Sequence, residues 1–152
     1  MEILVAMMVM SVIATAVIAV ALRTMQTTLT VTDRRDVFAD GRFALDQMAK
    51  ELRQAEAIDL TSDADTVSGP SYLDGANIDV VWRVSGSAAP FTLERSQDGG
   101  ASFAPVLPSL VSNDVFAYTY HEGVLDQVTI TLDMSTRTST VELTTDIFLR
   151  NA

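Results

Sequence analysis

His121 is the only histidine in the chain, and there is no cysteine. An acid–base or nucleophilic set would have to be built around that one imidazole, and disulfides, thiolate metal sites and cysteine nucleophiles are excluded. His121 ends a β-rich run beside Glu122 and reads as a solvated strand-end residue. No G-x-S-x-G, P-loop or G-x-G-x-x-G pattern occurs, and Gly99-Gly100 reads as a turn pair. Asp59, Asp63 and Asp65 are spaced somewhat like the acids of a calcium loop. They lack the central glycine and closing glutamate of such a loop, so they read as a solvated linker. Trp82, Tyr118 and Tyr120 have the chemistry to stack on a sugar or peptide, yet their alternating strand positions fit sheet packing better. No catalytic set, cofactor cradle or metal site emerges, and the chain reads as non-enzymatic.

One carboxylate stands in an unusual place. Glu2 opens the run Ile3–Leu22, which carries no charge, proline or glycine, has only Ser11 and Thr15 as polar residues, and is closed by Arg23. At ~1.5 Å per residue this run spans ~30 Å, the hydrocarbon thickness of a bilayer. It is too long for a secretory signal and has no basic residue before it. A lone carboxylate at an apolar boundary is costly unless neutralised or paired. Residue physics alone leaves two readings of Glu2 open. It is either a register device that pairs with a neighbouring chain, or a solvated residue at a helix N-terminus, where negative charge is favoured.

The rest of the chain has to position that helix. Residues 23–58 contain no proline, and Val31, Phe38, Leu45 and Leu52 recur every seven residues, with Met48 and Ala55 filling the same stripe. This stripe is expected to seat a sheet. The threonines at 24, 27, 28, 30 and 32 are weak helix formers, and Gly41 costs about 1 kcal/mol relative to alanine. Even so, one nearly continuous helix is expected from Glu2 to about Ile58. Residues 59–77, with Gly69-Pro70 and Asp74-Gly75, read as a linker loop.

Beyond the linker the period becomes two. Strands are expected at Ile78–Val84, Phe91–Arg95, Val115–His121, Gln127–Asp133 and Thr140–Leu149, with turns at Asp98-Gly99-Gly100 and Glu122-Gly123. The expected fold is α+β: a long helical spine, first transmembrane and then amphipathic, packed against an antiparallel sheet. Its segments are a membrane or filament-core helix (1–22), the amphipathic half (23–58), the linker (59–77) and the sheet head (78–152).

Charge is unevenly spread over this plan. The net charge is −10, and the part after Ile58 has four basic residues against thirteen acidic ones. Such a head repels phosphate backbones, so nucleic acid is an unfavourable partner.

The opening EILVAMMVMSVIATAVI is similar to the N-terminal segment of type IV pilins and type II secretion pseudopilins, and Arg42–Ile58 (RFALDQMAKELRQAEAI) resembles the helix end of minor pilins and J-type minor pseudopilins. The later order of a tryptophan-bearing strand, a Leu-Glu-Arg strand, an Asp-Gly turn and three closing strands also resembles their head. The match places Glu2 at the family's glutamate and Met1 at the fourth mature position. The leader, its cleavage glycine and the first three mature residues lie outside this sequence. The missing helix-kinking proline and C-terminal disulfide suit a minor subunit.

The resemblance implies a prepilin-type methylation segment and a structural role without cofactors. In it, Glu2 pairs with the N-terminal amine of a neighbouring subunit. It further implies other pilin subunits, an inner-membrane platform, an assembly ATPase and a prepilin peptidase as partners. The anchor would sit in the cytoplasmic membrane with an extracytoplasmic head until assembly. The second reading is a membrane-tethered or tip-located binding module.

Overall fold

Helix α1 covers Glu2–Arg53 without a break in the computed structural model, which describes residues 2–59, 61–73 and 75–149. The threonines do not interrupt it because their hydroxyls turn inward. Thr24, Thr27, Thr28 and Thr30 each donate to the carbonyl four residues back, at 2.9–3.0 Å. This back-bonding lets β-branched residues sit in a helix without stray donors.

Seven strands follow: β1 (Thr66–Leu73), β2 (Ala76–Ser85), β3 (Phe91–Ser96), β4 (Ala104–Leu110), β5 (Phe116–His121), β6 (Val124–Ser135) and β7 (Thr140–Phe148). They form one curled antiparallel sheet in the order β1-β2-β3-β4-β6-β5, with β7 on the other side of β6. The layout is the expected α+β one. Strand β6 shows why the period-two segments form strands: Val128, Ile130, Leu132 and Met134 point into the core and the residues between them do not. The β5–β6 hairpin closes on Glu122-Gly123, where both residues have positive φ (52° and 85°), as a two-residue turn requires.

Three expectations are corrected. The helix ends at Arg53, not near Ile58. Residues 54–59 instead lie along the outer edge of β1: the Glu56 amide donates to the Pro70 carbonyl (3.0 Å), Tyr72 N–H to Gln54 (3.3 Å) and Asp59 N–H to Ser68 (2.8 Å). The backbone satisfies more of its donors on that edge than in a further solvated turn. Second, residues 59–77 are not a linker loop, because they hold β1 and the start of β2. Gly69-Pro70 lies inside an edge strand, where proline is tolerated, and a Cβ on Gly69 would collide with the Ala57 carbonyl. Asp74 of the expected Asp74-Gly75 turn lies outside the described residues, and Leu73 pairs with Ala76 across it. Third, β4 was not expected. Its sequence APVLPSL carries Pro105 and Pro108, and its pairing with β3 is irregular along its length.

The acids read as a solvated linker also have structural work. Asp63 and Asp65 shape the tight turn that enters β1, and the Ala64 carbonyl accepts from the amides of Val115 (2.8 Å) and Phe116 (2.9 Å). The Tyr118 hydroxyl donates to the carbonyls of Asp63 (3.1 Å) and Thr66 (3.0 Å), pinning this turn to β5. Burial raises the Tyr118 hydroxyl above its ordinary pKa.

Candidate functional site

The candidate site has two parts, the free apolar helix and the seat that holds it in the head. From Ile3 to Leu22 every side chain is exposed, Ile3 by 79% and Leu22 still by 57%. This is one helix long and apolar enough to cross a membrane, and no part of its most apolar stretch is covered by the head. The Thr15 hydroxyl donates to the Ser11 carbonyl (2.7 Å), so it needs no solvent partner. Glu2 lies in the first turn, where the free amides of a helix N-terminus favour a carboxylate.

The seat lies in the last third of the helix. Gly41, Ala44, Leu45, Met48, Ala49 and Leu52 are buried against the sheet, mainly on β7 and β6 with β1 and β4 at the margins. Burying each of the larger side chains contributes about 1.5–3 kcal/mol. Gly41 allows the closest approach: a Cβ there would strike the Sδ of Met134 on β6 and crowd Leu143 on β7. Near its start the head is tied once more, where the Arg137 amide in the β6–β7 turn donates to Asp33 (2.9 Å).

The residues expected to form the seat divide. Leu52 (5% exposed), Leu45 (9%) and Met48 (0%) share the core, whereas Phe38 (44%) and Val31 (46%) remain exposed. A straight helix with a seven-residue repeat drifts by ~20° per repeat. Counting back from Leu52 this turns Phe38 by ~40° and Val31 by ~60°, and the buried residues of the helix begin only at Gly41, so both also lie before the stretch that the sheet covers. The buried line instead runs through Val37, Gly41, Ala44 and Met48, which follows the 3.6-residue period.

The sequence reading missed a polar centre within the seat. Glu51 is only 4% exposed, though it carries a charge. Arg95 on β3 grips it in two places, Nε to Oε2 at 3.0 Å and Nη2 to Oε1 at 2.6 Å. The indole N–H of Trp82 on β2 donates to Oε2 (2.9 Å), and Gln47 reaches Oε1 (3.3 Å). The Glu51 carbonyl accepts from the Ser71 hydroxyl on β1 (2.8 Å). Trp82 and Arg95 are direct cross-strand partners, which is how two strands present both donors to one carboxylate. Trp82 is fully buried, Tyr118 is half-buried, and Tyr120 (61% exposed) and His121 lie on the surface. A clue existed in the sequence: Glu51 lies between Met48 and Leu52, a charge next to the apolar stripe that calls for a partner.

No protein-family model matches the chain, and comparison with curated proteins and with solved structures finds no significant similarity. The architecture itself, a long N-terminal helix followed by an antiparallel sheet, is pilin-like.

Proposed function

We propose that the chain is a minor structural subunit of a type IV pilus or of a type II secretion-like pseudopilus, assembled through its N-terminal helix to initiate or support the filament. One observation carries this reading. An apolar helix with no partner among the described residues continues unbroken into the spine that seats the head. A plain anchor needs no such rigidity, because a flexible joint would hold a head at a membrane equally well. A filament does need it, since each head must keep a fixed position relative to its helix in the bundle.

In this reading the helix waits in the cytoplasmic membrane with its head outside. It then moves into a core of like helices, joined by other pilin or pseudopilin subunits, a membrane platform and its ATPase. Where a leader precedes the mature chain, a prepilin peptidase removes it. Glu2 sets register by finding a positive partner on a neighbour, because an unpaired carboxylate in an apolar setting is costly.

The test is Glu2→Ala in the full chain. Membrane insertion and head folding are expected to persist while recovery of the chain in sheared filaments falls sharply. Normal recovery would sink the register role.

A further inference from the structure

A strand at the edge of a sheet turns every second amide and carbonyl outward, and proteins blunt such rows with proline, bulges or a covering segment. The other edges of this sheet are treated in that way. Residues 54–59 lie along β1, which also carries Gly69-Pro70. Strand β4 holds Pro105 and Pro108 on the stretch that β6 leaves unpaired. Strand β5 is held by the Ala64 carbonyl at its start and broken by a register shift between Thr119 and Tyr120. Strand β7 has none of these devices: its nine residues include no proline and pair with β6 in unbroken register.

The hydrogen bonds of β6 identify the groups left over. The Thr131 amide donates to the Val115 carbonyl (2.9 Å) and the Asp133 carbonyl accepts from the Val111 amide (2.8 Å), so both residues turn their backbone away from β7. Their partners across the ladder, Thr144 and Glu142, therefore turn theirs away from β6, as do Thr140, Asp146 and Phe148 by the same alternation. All of these residues are exposed, and among the described residues no backbone group pairs with that row.

The side chains beside this row decide what can join it. Glu142 and Asp146 share the outer face with Asp133, which stands opposite Glu142 on β6. Neither strand carries a lysine or arginine, and among the described residues none of the three acids has an ion pair. Asp146 accepts from the Thr129 hydroxyl (2.7 Å). A second copy is a poor occupant: antiparallel pairing about Thr144 sets each Glu142 opposite an Asp146, and like charges directly opposite are destabilising.

We infer that the outer edge of β7 receives an extended segment of another protein, running antiparallel, with lysine or arginine at every second position. In that arrangement the residues opposite Glu142, Thr144 and Asp146 bond to the edge through their backbone and lie on the same outer face. The ladder supplies the attraction, and the acids select the sequence. The intervening residues of the segment turn to the inner face beside Leu143 and are apolar. The inference concerns the head alone and stands whether or not the helix enters a filament.

The probe is a synthetic peptide of alternating lysine and valine, as long as β7, added to the full chain in detergent micelles. Amide hydrogen exchange at Glu142, Thr144 and Asp146 is expected to be fast without peptide and to slow several-fold with it. Val141, Leu143, Thr145 and Ile147, already bonded to β6, should change little. Thr144→Pro removes one outward amide without touching the β6 ladder and should weaken peptide binding several-fold. Glu142→Lys combined with Asp146→Lys should reverse the choice, in favour of a peptide of alternating glutamate and valine. The lysine peptide N-methylated at every lysine keeps its charge but loses the donors that face the edge, and should not bind. Equal binding of the methylated peptide would overturn the inference in favour of charge attraction alone. Slow exchange at Thr144 without peptide would overturn it by showing the edge already closed, and protection that grows with protein concentration would assign that closure to a second copy. Unchanged thermal unfolding of the head verifies that the variants fold, and the methylated peptide tests the inference on the unaltered chain.

Discussion

Glu51 on the helix and Arg95 on β3 form a two-point ion pair beneath the spine, with side chains only 5% and 17% exposed. Trp82 donates to the same carboxylate, so the charge is both paired and hydrogen-bonded. A buried carboxylate met by donors from two strands has one good position. The pair therefore fixes the rotation of the spine relative to the head.

Breaking this centre is expected to be expensive. Removing one partner of a buried pair costs about 3–5 kcal/mol, because the other charge is stranded. Glu51→Ala and Arg95→Ala should each lower the stability of the head by that order in urea unfolding. The double variant should lose much less than the sum, and full additivity would show that the pair is not coupled.

Gly41 governs how closely spine and sheet approach. Gly41→Ala gains about 1 kcal/mol of helix propensity and loses about 1–3 kcal/mol by pushing on buried Met134, for a net loss of up to about 2 kcal/mol. Gly41→Val should cost more still. Combining Gly41→Ala with Met134→Ala makes room for the new methyl, so the two effects should not add. Thermal unfolding of the four proteins decides it, and simple additivity would mean that the contact is slack.

Tyr118 is predicted to resist ionisation. Burial raises its hydroxyl above the usual 10, so the phenol is favoured in the folded head. That stability is fully present below pH 10 and is lost as pH rises through the folded value. Ultraviolet titration should show Tyr118 ionising only well above the usual 10 or with unfolding. Tyr118→Phe should remove that late step and weaken the turn at Asp63–Thr66. A Tyr118 midpoint at the ordinary 10 would contradict the burial argument.

The turn after β3 carries the opposite signature. Hydrogen bonds from Ser102 and Ser96 hold the Asp98 carboxyl at about 2, below its ordinary 3.8. Its contribution is present above pH 3.8 and disappears as pH falls through about 2. A carboxyl NMR titration should place its midpoint near 2, and Ser102→Ala should raise it. A midpoint unchanged by Ser102→Ala would remove the cause assigned here.

Much of the fold was legible because its signals are local. A run of aliphatic residues, a 3.6-residue pattern and a change to alternation can each be read in a window of a few residues. Strands β1 and β4 were not legible for the same reason, since Gly69-Pro70 and Pro105 with Pro108 are breakers in any short window. Strand β1 lies at an outer edge, which tolerates proline, and the helix exit passes so close that only glycine fits at 69; β4 lies between β3 and β6 but meets β6 only at Leu110–Met134, so its proline-bearing stretch is paired on the β3 side alone. Phe38 and Val31 show another limit. A seven-residue spacing looks like one face on paper, yet it drifts around a straight helix, and nothing in the spacing says that the sheet buries the helix only from Gly41 onward, past those two side chains.

The sequence by itself determined that a membrane-length apolar helix leads into an amphipathic one and then into an antiparallel sheet, because each depends on neighbours along the chain. Only the tertiary structure decided which helix face the sheet would cover, which strands would close its edges, and that Glu51 would lie buried between Arg95 and Trp82. Those outcomes depend on groups as many as 104 residues apart meeting within hydrogen-bond reach. No pattern of nearby residues encodes such a distance, and packing the core sets it.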